Sequence, residues 1–175
     1  MAWIGWHDQE TRQIVPLAVA GDDNGYIQSI KIYSDDRPEG RGPTGLAFQS
    51  GQPYICNDML NNAVTVPWRT ELVRRGFNAS AVFPIRLKSK VCATLTVYSD
   101  EPWFFQDKEI ALLKEAAGDI SFALDNFADR DTRQQAEKVA ESERIFSATM
   151  IESRPGRSGS SRTTRRNSVR GSPAS

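Results

Sequence analysis

The run Gly40-Arg41-Gly42-Pro43-Thr44-Gly45-Leu46-Ala47-Phe48-Gln49-Ser50-Gly51 constrains this chain more than any other stretch. Gly42, Gly45 and Gly51 read as backbone residues for turns and close packing. Pro43 suits the first turn of a helix and Gly51 suits its stop, so a short helix over 43–50 is framed at both ends. The spacing matches neither a Walker loop nor a dinucleotide fingerprint. A strand over 52–57 follows and ends at Asp58. Further on, 79–87 and 91–98 are the clearest strands of the chain, and Lys88-Ser89-Lys90 joins them as a hairpin.

Two β-rich runs precede the glycine run, at 2–7 and 14–20, separated by the polar turn Asp8-Gln9-Glu10-Thr11. Pro16 has no N–H to donate, so the second strand is an edge or is irregular there. Residues 26–33 read as a helical turn running into a short strand. Residues 58–66 read as a polar loop, and Pro67 opens a helix through Arg75 that Gly76 stops. A long helix starts near Gln106-Asp107. On it Ile110, Leu113, Ala117, Ile120, Leu124 and Phe127 step by three and four residues and form one apolar stripe. Beyond Phe127 the seam meets Asp131, Gln134 and Lys138, with Ala136, Val139 and Phe146 on a drifting stripe. That continuation is a charged rod outside the core, read either as a weak coiled coil or as a surface helix.

The order of glycine-rich turn, short helix, strand ending in Asp58, second helix, hairpin and exit helix resembles the GAF family over residues 2–127. The resemblance implies an α+β fold, with a central antiparallel sheet of five or six strands, helices on both faces and a long C-terminal exit helix. It implies a non-enzymatic sensory and dimerising module that reads a small molecule. The exit helix would relay that signal to an output domain, most often a histidine kinase or a cyclic-di-GMP enzyme. Family members normally begin with a helix packed beside the exit helix. Here the first strand follows Met1 at once, so the chain reads as N-terminally short. The domains expected are a GAF-like unit over 1–127 and a helical signalling linker over 128–151. Within that linker, Glu141 to Thr149 is similar to the start of a PAS domain that never arrives.

The remainder, 152–175, is an Arg/Ser-rich tail too poor in large apolar residues to order itself. It reads either as a basic tail or as the product of an out-of-frame reading. Lys plus Arg and Asp plus Glu are both 22, but the balance is a cancellation, because six Arg and one acid lie from Glu152 onward. Residues 1–151 are therefore net −5. An acidic body gives no electrostatic footprint for nucleic acid. The N-terminus lacks the basic and apolar regions of a signal peptide, and no apolar run reaches the ~18 residues of a membrane span. Two cysteines form no disulfide framework and suit a reducing, cytoplasmic setting.

Chemistry-bearing residues are few. The single histidine, His7, allows neither a Ser-His-Asp triad nor a two-histidine metal site. Neither a catalytic residue nor a metal site is expected, and no cofactor is identified. Some GAF-fold proteins reduce free methionine sulfoxide with cysteines that line the cavity. Cys56 and Cys92 therefore keep open a thiol reductase acting on a methionine sulfoxide-like metabolite. The Cys-His pair of bilin-binding members and the Asn-Lys…Phe…Asp-Glu pattern of cyclic-nucleotide-binding members are both absent. The ligand-binding residues implied are Asp58 at the strand end, Trp68 and Arg69 on the capping helix beside Arg74-Arg75, and Tyr54 and Phe83 in the cavity lining. An aromatic ring and a guanidinium over an apolar cavity suit a planar or anionic ligand. In the competing reading Trp68 only anchors its helix and the arginines are solvated. The partners expected are an unidentified small molecule, a second copy of the chain and an output domain. A third reading is a structural dimerisation unit with a closed, empty pocket.

Overall fold

The computed structural model describes residues 1–22 and 25–152. Contacts divide the chain into two units, Met1–Thr132 and Arg133–Ser175. The first unit holds strands β1 (Ala2–His7), β2 (Ile14–Ala20), β3 (Tyr54–Cys56), β4 (Ala79–Leu87) and β5 (Lys90–Ser99). Helices α1 (Tyr26–Ser29), α2 (Pro43–Ser50) and α3 (Arg69–Arg75) connect them, and α4 (Asp107–Glu152) leaves the sheet. The strands form one antiparallel sheet in the order β2-β1-β5-β4-β3.

Pro16 leaves the mark its chemistry predicts. β2 is an edge strand, and its ladder slips beside the proline: Gly5 faces Pro16 while Ile4 faces Ala18, so Leu17 is the extra residue. Other boundaries move. The strand expected over 52–57 shortens to Tyr54–Cys56: at its start the Gln52 N–H is still tied to the Ser50 hydroxyl at the end of α2 at 3.2 Å, and at its end Asp58 closes a turn onto Asn61. The helix expected from Pro67 begins at Arg69. Ahead of it Ala63–Trp68 form a 3-10 helix where a loop was expected, nucleated by the Asn62 side chain accepting from the Val64 N–H at 2.8 Å.

Strand alternation sorts the sheet into two cores. On one face Trp3, Ile14, Leu72, Phe77 and Tyr98 pack together beneath the connecting helices. On the other, Ala79, Ala81, Phe83 and Ile85 of β4 meet Phe105 and Ala117 of α4 and its approach. The α4 stripe packs as expected through Leu124, with Ala117 buried and Ile110, Leu113, Ile120 and Leu124 half-buried. Phe127 does not join it and is exposed. Lys88, in the hairpin turn, donates its N–H to Asp125 at 2.6 Å and pairs through Nζ with Asp129, so the sheet has ended where Phe127 passes. From 129 to 150 every α4 side chain is exposed. The tail expectation, from residue 153 on, lies outside the described residues.

The start of α4 is held by one side chain. Asn57 Nδ2 donates to the Phe105 carbonyl at 2.8 Å, and its Oδ1 accepts from the Phe105 N–H at 3.0 Å. The Asn57 carbonyl also accepts from the Trp103 N–H at 2.8 Å. Asn57→Ala should destabilise the domain by about 2–3 kcal/mol, since it leaves both backbone groups of the buried Phe105 unpaired. Asn57→Asp keeps the acceptor for the Phe105 N–H but turns a carboxylate oxygen onto the Phe105 carbonyl, so it should destabilise the domain as well. Urea denaturation of the three proteins at one pH measures both differences.

Candidate functional site

The glycine run builds one wall of a pocket on the face opposite α4. A side chain at Gly45 would strike the Gly40 carbonyl, so backbone lies on backbone there. A Cβ on Gly42 would sit 2.8 Å from the Trp68 ring, and the bare glycine lets the benzo edge of that indole close on the loop. Trp68 reaches this position from the end of the 3-10 segment, whose Thr65 hydroxyl donates to the carbonyls of Met59 and Asn62. Trp68, Tyr26, Tyr98, Met59, Leu72 and Glu39 are among the residues that enclose the pocket. Free space inside is about 20 Å³, room for roughly one water.

The lining is aromatic and almost uncharged. The rings of Tyr26 and Tyr98 meet edge to face at 5.6 Å, and Phe77 stacks on Tyr98 at 4.8 Å. Burial pushes both phenols up, Tyr98 well above its ordinary value, so both stay protonated donors across physiological pH. Glu39 is the charged residue in the lining among those described.

Of the residues expected from sequence, the pocket gathers Trp68. Tyr54 is half-buried against the same core but is not in the lining. Its partner across the ladder is Val82, so the next residue, Phe83, points to the opposite face and packs with Phe105. Asp58 is committed to its turn, and Arg69 lies outside the lining. An arginine that does touch a lining side chain is Arg75. Its side chain is 3% exposed, pairs with Glu71 and sits with its guanidinium 5.2 Å from the Tyr26 ring. Tyr26, Met59 and Glu39 carry no sequence signal for this role, because each arrives from a separate connecting segment.

The remaining reactive groups lie elsewhere. Cys56 is buried in the core on the pocket face, Cys92 packs against the core beneath α4, and neither lines the pocket. Burial pushes both thiols up, away from the reactive thiolate. Among the described residues no group of three or more His, Cys, Asp or Glu side chains could hold a metal ion. His7 Nε2 lies 2.8 Å from the Ser34 hydroxyl, and its ring packs on Phe48 at 4.4 Å.

Comparison with known proteins agrees with this architecture. The profile of the GAF domain family matches residues 1–125. The fold is similar to the GAF domain of a phosphoenolpyruvate-protein phosphotransferase from Coxiella burnetii, at 16% identity and a TM-score of 0.60, covering 75% of this chain and 74% of that one. It is similar to a domain assigned to a two-component sensor histidine kinase from Sinorhizobium meliloti, at 18% identity and a TM-score of 0.56, covering 76% and 83%. It is also similar to a type II free methionine-R-sulfoxide reductase from Thermoplasma acidophilum, at 16% identity and a TM-score of 0.54, covering 72% and 78%. Identities this low establish likeness of fold. No curated protein sequence matches the chain.

Burial, then the Arg12 charge, lowers the pKa of His7 below its ordinary 6.5, against a smaller opposing pull from Asp8. The folded state therefore binds this proton more weakly than the unfolded chain. His7 contributes full stability above about 6.5, and that contribution is lost as pH falls through and below this value. As the only histidine, it gives one clean NMR titration. The midpoint should lie below 6.5 in the folded protein and return toward it in urea. Equal midpoints in the two states would mean the ring is not desolvated.

Proposed function

The chain belongs to the GAF domain family, and from that premise we propose that it is a non-enzymatic sensory and dimerising module of a signal-transduction protein. It binds a small molecule in the Trp68-capped pocket and relays occupancy through α4 to an output domain. The observation that carries this reading is the short path from pocket to helix. Met59 forms part of the pocket wall, and Asn57, two residues before it, holds both backbone groups of Phe105 at the start of α4. A ligand larger than a water pushes on the pocket walls, Met59 among them, and Asn57 transmits a displacement of Met59 to the exit helix.

The pocket chemistry favours a planar, neutral or cationic ligand. Aromatic faces line it, Glu39 supplies negative charge, and the Arg75 guanidinium is already paired with Glu71. Dimerisation would use the flank of α4. Leu112 and Phe127 are 65% and 60% exposed on one side of the packed stripe, and Ile4 and Trp6 are only half-buried against the core beneath the helix. Apolar surface of this kind is seldom left to water. We place the protein in the cytoplasm, and no helix among the described residues is long and apolar enough to cross a membrane.

A second reading, a closed structural domain with no ligand, is favoured by the 20 Å³ of free space. The thiol-reductase reading lacks a cysteine at the pocket, and the two cysteines pack against cores on opposite faces of the sheet. Ligand screening separates sensor from closed domain. Planar neutral and protonated heteroaromatic compounds are assayed by thermal shift and tryptophan fluorescence. The chain has four tryptophans, so Trp68→Phe serves as the subtraction. A true ligand at 100 times its Kd adds about 2.7 kcal/mol, a rise of several degrees in Tm, and the fluorescence change disappears in Trp68→Phe. A screen in which no compound moves either signal sinks the sensor reading and leaves the closed domain. On the dimer, Phe127→Glu should shift sedimentation toward monomer, and an unchanged profile excludes this flank as the interface.

A further inference from the structure

A second cleft lies beside α4 at the edge of β4 that β3 leaves unpaired, independent of the Trp68 pocket. It opens between the α2–β3 connection, the middle of β4 and the side of α4, with a volume of about 310 Å³. Pro53, Pro84 and Phe83 give it apolar walls, and Arg86 and Lys114 place two cations at it. We propose that this cleft binds a small organic carboxylate, its charge between Arg86 and Lys114 and its hydrocarbon body against the two prolines.

Four observations carry the assignment. Arg86 is held in place without a ligand: Nη2 donates to the Gly51 carbonyl at 2.7 Å and Nη1 to the Ser89 carbonyl at 3.1 Å. Those acceptors fix the guanidinium yet leave its charge uncompensated, with N–H groups left over. Preorganisation of this kind removes the entropic cost of ordering a long side chain on binding. Neither Arg86 nor Lys114 forms an ion pair with a described residue, and no Asp or Glu is in the lining. Residues 1–151 are net −5, so two cations without an acid between them run against the character of the body. Lys114 has no acidic residue three or four positions away on α4, where an ion pair would otherwise form.

The α4 wall is kept open by Gly118. A Cβ there would meet nothing within 4 Å, so no contact calls for glycine, although glycine in a helix interior costs about 1 kcal/mol. Its bareness preserves the room for a ligand. The size falls at the small end of ligand cavities. An inorganic anion would satisfy the cations but leave the proline walls wet, and the cleft therefore selects an acid with an apolar body. An occupant would touch β4 and α4 together, bridging the sheet to the exit helix.

The test titrates the full ¹⁵N-labelled chain with benzoate, benzamide and inorganic phosphate at fixed ionic strength, following the amides of Gly118 and Gln52. Benzoate should shift both saturably, with benzamide and phosphate at least tenfold weaker. Lys114→Gln should weaken benzoate about tenfold at unchanged Tm, since the residue is exposed and unpaired. Gly118→Leu should remove the shifts by filling the cleft while far-UV circular dichroism stays the same. Arg86 is left alone, because it also ties β4 to Gly51. Absence of shifts overturns the proposal. So does equal binding of benzamide, which would make the site merely apolar, or of phosphate, which would make it a general anion site. Shifts confined to the amides of Trp68 and Tyr98 would place the acid in the other pocket and overturn it too.

Discussion

The structure turns on one amide. Asn57 grips the peptide of Phe105 at both its N–H and its carbonyl, and its own carbonyl takes the Trp103 N–H. A single side chain satisfying donor and acceptor of one residue defines that residue's orientation as well as its position. Phe105 is thereby seated in the core beneath α4, and the helix starts two residues later in a defined direction. Glu109 adds a local brace, its carboxylate accepting from the Gln106 N–H at 3.2 Å as in half of a capping box. Without the clamp, α4 would still be amphipathic but would have no set place to begin.

The sheet beneath depends on β4 being buried on both sides. Its residues from Ala79 to Phe83 are at most 1% exposed, and the two cores it separates share no side chains. Small residues face α4 at Ala79 and Ala81 so that the helix can approach, while Phe83 and Ile85 fill the space further along. Closure is unequal. The pocket face is covered by α1, α2, α3 and their connections, whereas the other face has α4 alone, which leaves Ile4, Trp6, Leu95 and Val97 half-buried. The proposed dimer flank lies on that under-covered face, and the proposed carboxylate cleft lies where α4 passes the unpaired edge of β4.

Much of this was legible in the chain. Elements with a strong local cause were read correctly: the Pro43-to-Gly51 helix, the 79–98 hairpin, the edge strand marked by Pro16 and the α4 stripe as far as Leu124. Each rests on a periodicity or on a residue whose backbone chemistry permits few alternatives. The misses have physical causes too. Asn62 capped a 3-10 segment that looked like loop, and Phe127 lost its partner because the hairpin turn ends the sheet at Lys88.

The pocket was legible only at Trp68, and even there as a capping residue rather than as the ring that Gly42 exists to admit. Family, sheet and exit helix follow from local pattern, because side-chain periodicity and glycine or proline geometry act over a few residues. Which face Phe83 takes depends on the register of Tyr54 against Val82, and one step in register reverses every side chain. Tyr26, Glu39, Met59 and Tyr98 converge from four separate segments, and Arg75 rather than Arg69 reaches Tyr26. Such meetings are set by packing across the whole domain, between residues that share no local pattern, and only the folded chain decides them.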